Sequence, residues 1–397
     1  MRIKKTKSPA VLFALGVFSA TTIFGGLNIS ASGEETSNNA RINELVSIAE
    51  GTESLEMPEI KFELEKQPLS TYPAGFSHEV TAKNFPISKG IAGVSMTLKP
   101  GGLRELHWHA NAAEWAYIIK GHCRITIIDP QGRTEIKDFG PGDVWYFPRG
   151  HGHSIQGMGD EECKFILTFD NGYFSEFSTF SISDWIAQTQ STVLSKAFGL
   201  SQAILDKFPK KEVYMAQGTN PPPLDEKANA NYPAELTHRF KLSEQKPDVS
   251  KGGTFNLVDQ RKFPISTTMS GAVLTIKPDA MRQLHWHPNA DEWQYYIRGH
   301  ARMTVFGSKG RKITRDFGPG DVGYVPQGYG HYIETIGGDE CEMLAVFNSG
   351  TYQEISLADW IKQTPKYLLE TNFGLDAKTI EEFQKGQMIF TSPEKSK

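Results

Sequence analysis

Four residues of metal-ligating type recur in this chain at one fixed offset, and that repetition constrains the fold more than any other feature. His107, His109, Glu114 and His153 return 178 positions later as His285, His287, Glu292 and His331. The framework repeats with them. Phe85-Pro86-Ile87-Ser88 returns as Phe263-Pro264-Ile265-Ser266, and Asp138-Phe139-Gly140-Pro141-Gly142-Asp143-Val144 returns as Asp316-Phe317-Gly318-Pro319-Gly320-Asp321-Val322. The register holds without a gap from about Phe85 to Phe174. Asp184-Trp185-Ile186 then pairs with Asp359-Trp360-Ile361 at an offset of 175, so the first copy carries three extra residues between Tyr173 and Ser183. A chain of 397 residues exceeds what one core sustains, and the duplication predicts two similar domains.

Within each copy the apolar units are short. Val94-Ser95-Met96-Thr97-Leu98, Ile125-Thr126-Ile127-Ile128 and Phe165-Ile166-Leu167-Thr168-Phe169 have strand composition, and turn sequences such as Gly140-Pro141-Gly142-Asp143 bound them. Closely spaced short strands predict an all-β barrel or sandwich in each half. A helical stretch follows each: Asp184 to Leu200, with Trp185, Ile186, Val193, Leu194 and Phe198 as apolar anchors, and Asp359 to Leu375. Pro221-Pro222-Pro223 and polar filler mark a linker over 210–232. The domains are therefore expected at 61–209 and 233–390, with 34–60 as an N-terminal arm.

The first 33 residues differ in character. Arg2, Lys4, Lys5 and Lys7 precede an apolar stretch from Ala10 to Ile29, then Ser30, Ala31, Ser32 and Gly33. That order predicts a cleaved signal peptide and a secreted product. The alternative is an uncleaved membrane anchor, which Gly16, Gly25, Gly26 and the interspersed Ser and Thr residues disfavour. Removing 1–33 takes four basic residues and no acidic one, leaving 38 basic against 46 acidic, a net charge of −8. With no basic run left, neither nucleic acid nor an anionic membrane is expected as a partner. The three cysteines fit buried thiols better than disulfides, since Cys163 and Cys341 are repeat equivalents and Cys123 has no twin.

On a strand, residues two apart face the same way, so His107 and His109 point together while Trp108 faces elsewhere. Glu114 opens the next strand, and His153 is expected from a facing one. Three imidazoles and a carboxylate fill only part of an octahedron, leaving positions for water, substrate or dioxygen. Buried structural histidines are the ordinary reading of a single pair; a duplicated set of four points to metal. His151 is excluded because its counterpart is Tyr329, and His122 and His300 because each follows a turn glycine. The ligand types alone leave Mn, Fe, Zn, Cu and Ni open.

Gly-x5-His-x-His-x4-Glu-x6-Gly, from Gly101 through Gly121, and Gly-x5-Pro-x4-His, from Gly142 through His153, resemble the two cupin motifs. Both recur, so the mature chain resembles a bicupin: two tandem jelly-roll barrels, each followed by short helices. Arg104-Glu105-Leu106-His107-Trp108-His109, Glu114-Trp115-Ala116-Tyr117 and His285-Trp286-His287-Pro288-Asn289 are similar to runs of the bacterial and fungal oxalate decarboxylases. The resemblance spans about Phe62 to Gly374. It implies one Mn(2+) per domain, a requirement for dioxygen, and conversion of oxalate to formate and CO2.

The resemblance also implies roles for particular residues. The family's substrate-holding arginine falls on Arg104, with Arg282 in the second domain. Strict alternation puts Arg104 on the opposite face from His107, so only the resemblance, or a kink after Gly101-Gly102, brings it into the site. Ser175-Glu176-Phe177-Ser178-Thr179, in the longer loop of the first copy, resembles the family's mobile lid, with Glu176 as proton donor and acceptor. The bacterial lid carries Asn where this chain has Phe177. In the second domain the family's glutamate is replaced by Ala345, Tyr352 falls where that site has a tyrosine, and Glu354 matches Glu176 only under one placement of the gap. Catalysis is therefore expected in the first domain. The nearest rival is an oxalate oxidase giving H2O2 and CO2; a metal-binding structural cupin without turnover is the other. Assembly as trimers or hexamers is implied by resemblance alone.

Overall fold

The computed structural model describes residues 56–229, 232–385 and 390–391. The expected signal peptide over 1–33 and most of the arm lie outside the described residues. Each copy folds into two antiparallel sheets that enclose an apolar core, followed by short helices, as the sequence predicts.

In the first copy, one sheet contains Ala92–Leu98, Glu114–Lys120, Asp143–Phe147 and Cys163–Phe169. The other contains Gly102–Trp108, His122–Ile128, Thr134–Phe139 and Gly152–Met158. Their burial patterns differ for a physical reason. Gly152–Met158 alternates between buried and half-buried residues because one face meets the core and the other faces outward. Ala92–Leu98 and Asp143–Phe147 are buried throughout. Their sheet packs one face on its own barrel core and the other against the second copy. Phe165 and Leu167 thus join the barrel core, whereas Ile166 joins a cluster shared with Val322, Tyr324 and Leu344 of the other copy.

The copies also exchange their leading strands. Lys61–Glu63, at the start of the first copy, pairs with Asp321–Val325 of the second. Arg239–Lys241, its equivalent 178 residues on, pairs with Asp143–Phe147 of the first. Met57 and Ile60, from the arm, are buried in the second barrel's core. Within the segment expected as a linker, Met215–Gln217 is a strand paired with residues 102–104 of the first barrel.

Two local expectations need correction. The first helical stretch is split into Ile182–Gln188 and Ser191–Phe198, the latter ending at Gly199 in the left-handed region with φ of 68°. Of its five anchors Leu194 is buried, but Trp185 and Phe198 are 66% and 64% exposed. The apolar pattern marks a helix face without saying what covers it. The cysteines do behave as expected: all three are buried free thiols.

Candidate metal centres and the pocket beside the first

The described residues contain two clusters that can hold a metal ion, and they are the two sets of the duplication. In each, four donor atoms lie within 4.8 Å of one another, and every residue is buried. His153 sits on the strand next to His107 in the same sheet, where the two are register partners, and not on a facing strand as expected. Glu114 alone comes from the opposite sheet, at the first position of Glu114–Lys120.

Backbone carbonyls fix the rings. His107 Nδ1 donates to Glu105 O at 2.6 Å and His153 Nδ1 to His151 O at 3.0 Å, which turns both Nε2 atoms toward the centre. In the second copy His285 and His331 do the same with Gln283 and Tyr329. Burial drives the His107, His153 and His285 imidazoles toward their neutral form, the form that binds metal. The residues fit a cation. His109 Nε2 and His153 Nε2 are buried without a hydrogen-bond partner, and both face Glu114 or Glu176 carboxylate oxygens at 3.4–3.6 Å.

Arg104 lies in this pocket, fully buried, despite its odd spacing from His107. A β-bulge explains it. His153 pairs with His107 and Ile155 with Arg104, so three steps on one strand oppose two on its neighbour. The extra residue, at Glu105 or Leu106, reverses the parity. The kink therefore lies between Arg104 and His107, not after Gly101-Gly102. The second copy repeats it at Arg282 and His285.

Four of the five N–H donors of the Arg104 guanidinium are engaged. Its Nε and Nη2 donate to Glu176 Oε1 at 2.9 and 2.8 Å, Nη2 also to Thr179 Oγ1 at 2.8 Å, and Nη1 to Tyr214 O at 3.3 Å. The Tyr214 ring lies 3.9 Å from its central carbon. Glu176 forms the first turn of Glu176–Ser178 and is 1% exposed. Burial alone raises its carboxyl, but Arg104 and His109 outweigh burial and hold it well below the usual carboxylate range. Tyr214 was not legible as a site residue, because it lies in the polar stretch between the repeats.

In the second copy Arg282 pairs with Glu354, and the Tyr352 hydroxyl donates to the same carboxylate. This settles the spatial match: Glu354, 178 residues after Glu176, takes the corresponding place beside the arginine. The cavity that Arg282, Tyr352, Ala345 and the ligands enclose is only about 10 Å³.

A family model described as Cupin matches residues 63–205 and again 240–381. Oxalate decarboxylase OxdC of Bacillus subtilis is 45% identical over 305 residues, which cover 76% of this chain and 78% of that protein. The chain belongs to the cupin family, among its bicupin oxalate decarboxylases. A probable oxalate decarboxylase of Arthroderma benhamiae is 34% identical over 341 residues, 85% of this chain and 84% of the relative. A structure of the B. subtilis enzyme at pH 4.6 superposes with a TM-score of 0.80 and 38% identity, over 89% of this chain and 94% of that one. Another, from work on the Mn(II) centres of that enzyme, gives 0.80 and 36% over 95% and 98%.

The two cupins are not equivalent around their metal carboxylates. Trp145 Nε1 donates to Glu114 Oε1 at 2.6 Å. Its counterpart is Gly323, and there Gln294 Nε2 donates to Glu292 Oε1 at 2.9 Å while accepting from the Tyr296 hydroxyl. Any Cβ at Gly323 would meet Gln294 Oε1 at 2.6 Å. The loops differ as well. His287 Nδ1 donates to Gln353 O at 2.8 Å, tying the backbone of the second loop to a ligand; the first lid reaches its ligands through the Glu176 side chain instead, 3.4 Å from His109 Nε2.

Proposed function

We propose that this chain decarboxylates oxalate to formate and CO2, with Mn(2+) in each ligand set and dioxygen required. The observation that carries the reading is the buried Arg104–Glu176 pair beside His107 and His109. It joins a fixed cation suited to a small carboxylate with a carboxylate suited to moving a proton. Manganese at His107, His109, Glu114 and His153 would supply a Lewis-acidic, redox-active centre for one-electron chemistry with dioxygen.

The chain's own residues do the rest. Glu176 occupies the guanidinium fork in this conformation, so the substrate carboxylate must displace it. Oxalate then holds Arg104, and Glu176 is left as a buried carboxylate without its cation, which favours taking up a proton. Starting from the oxalate monoanion, Glu176 accepts the acidic proton; the C–C bond breaks, CO2 leaves, and Glu176 returns the proton to the carbon of the remaining fragment. The balance is one HC2O4⁻ to one HCO2⁻ and one CO2. Tyr214 and Thr179 orient the guanidinium, and the closed lid keeps water from the reacting carbon. The second centre, with Arg282 and Tyr352 beside a cavity of about 10 Å³ and Glu354 paired to Arg282, supports stability or electron transfer in this reading.

The test is the product balance from oxalate with manganese-loaded protein in mildly acidic, aerated buffer. Near-stoichiometric formate supports the reading; peroxide without formate means an oxidase. Two further proposals go with it. Export with removal of 1–33 is checked by N-terminal sequencing of secreted protein. Assembly as a homo-oligomer, a trimer or hexamer, is supported by the exposed Trp185, Phe198, Trp360 and Tyr367 on the helices, and is checked by sedimentation.

A further inference from the structure

Arg104 holds the lid through Glu176 and Thr179, yet Arg104 is the group that substrate must claim. Something else must keep the lid in place once those bonds are surrendered. Glu79 is placed to do so. It lies on Gly75–Val80, in the sheet that backs onto the second cupin, and it meets the lid at Ser175 and at the backbone of Glu176, whereas Arg104 holds the Glu176 side chain. Ser175 Oγ donates to Glu79 at 3.0 Å, and the backbone N–H of Glu176 donates to Glu79 Oε2 at 2.7 Å. Ser175 Oγ in turn accepts from Phe177 N at 3.3 Å. Three consecutive lid residues are thus strung on one carboxylate.

The duplication supplies the contrast. The residue 178 positions after Glu79 is Leu257, which accepts nothing through its side chain. The shorter second loop is held instead by Asn289, Gln260, Asp259 and His287, which bond to Thr351 O, Thr351 Oγ1, Tyr352 N and Gln353 O respectively. One of those is a metal ligand. The backbone of the second loop is bonded to a metal-ligand ring, whereas the backbone of the first is bonded to a carboxylate outside the ligand set.

We propose that Glu79 is the positioning residue of the catalytic lid. It fixes the backbone of Glu176 so that its side chain can leave Arg104, carry a proton and return without the lid opening. This rests on reading Glu176 as the proton carrier. Glu79 itself touches neither substrate nor metal. A hydrogen bond to a charged acceptor contributes enough that losing it changes a local opening equilibrium by about tenfold. Without the anchor, substrate still binds at Arg104, but the lid opens during turnover, and oxalate then gives up two electrons to dioxygen, yielding two CO2 and peroxide.

The experiment compares the manganese-loaded full chain with its Glu79→Ala and Glu79→Gln variants by hydrogen–deuterium exchange and product analysis. In Glu79→Ala, amide exchange over residues 174–180 is expected to rise about tenfold, with exchange around Glu354 and the metal content unchanged. Formate kcat falls, KM for oxalate stays near the wild-type value, and the peroxide share rises. Glu79→Gln retains one acceptor oxygen and falls between, and it serves if the alanine variant does not fold. Unchanged lid exchange overturns the proposal. So does faster exchange with an unchanged product ratio, because the anchor would then not serve the chemistry. Should wild type make no formate from oxalate, the exchange result still decides whether Glu79 holds the lid, and only the substrate reading fails.

Discussion

Trp293 of the second cupin lies against the backbone of Gly93 in the first, so close that a Cβ there would stand 2.4 Å from its ring. The relation is reciprocal. Trp115 lies against Gly271 with a corresponding distance of 2.5 Å, and both pairs obey the offset of 178. Both indoles are fully buried in the cluster shared between the barrels. The missing side chains at Gly93 and Gly271 are what allow the two sheets to approach.

Gly93→Ala and Gly271→Ala should therefore each destabilise the protein by about 1–3 kcal/mol through overpacking. Chemical denaturation of the metal-loaded chain measures this. A loss confined to one barrel, with the other unfolding as in wild type, would contradict a shared interface.

Replacing either metal carboxylate should cost one of the two sites. Glu114→Gln and Glu292→Gln each reduce bound manganese from two toward one per chain, read by elemental analysis. Formate production should vanish in Glu114→Gln. Its survival there would move catalysis to the second cupin.

Arg104→Lys keeps the charge but loses the fork that Glu176, Thr179 and Tyr214 organise. We expect kcat/KM for oxalate to fall by about 100-fold, the equivalent of two charge-assisted hydrogen bonds. Steady-state formate kinetics test this, and Arg282→Lys should show the smaller loss.

Glu65 offers a pH test away from the metals. Burial raises its carboxyl, but bonds from Lys164, Ser95 and Tyr295 outweigh burial and leave it below its ordinary value of 4.5. A depressed carboxyl contributes stability that is complete above the unfolded value and disappears as pH falls through the folded one. The stability gap between wild type and Glu65→Gln should be full above pH 4.5 and close on acidification, as followed by denaturant midpoints.

The ligands were legible because they obey strand parity or repeat exactly in register, and a doubled pattern excludes chance. Arg104 was not legible from spacing, since the bulge that turns it inward leaves no mark beyond an ordinary Glu105-Leu106. Glu79 and Tyr214 were hidden for another reason: they meet the lid and Arg104 across 97 and 110 residues of chain respectively, through tertiary contacts that local pattern does not encode. A trace of Glu79 did exist in the repeat itself, where a carboxylate faces a leucine at position 257. Trp185 and Phe198 illustrate the converse, an apolar pattern correctly placed on helices but wrongly assumed to be covered.

The exchange of Lys61–Glu63 and Arg239–Lys241 means that the unit of duplication is not the unit of folding. A cut between the copies leaves each half holding its neighbour's edge strand and lacking its own. Neither half supplies the partner for the outer strand of its own sheet. A single copy made alone would leave the outer edge of Asp143–Phe147 or Asp321–Val325 bare, an edge of the shape that the leading strand of a second copy fills.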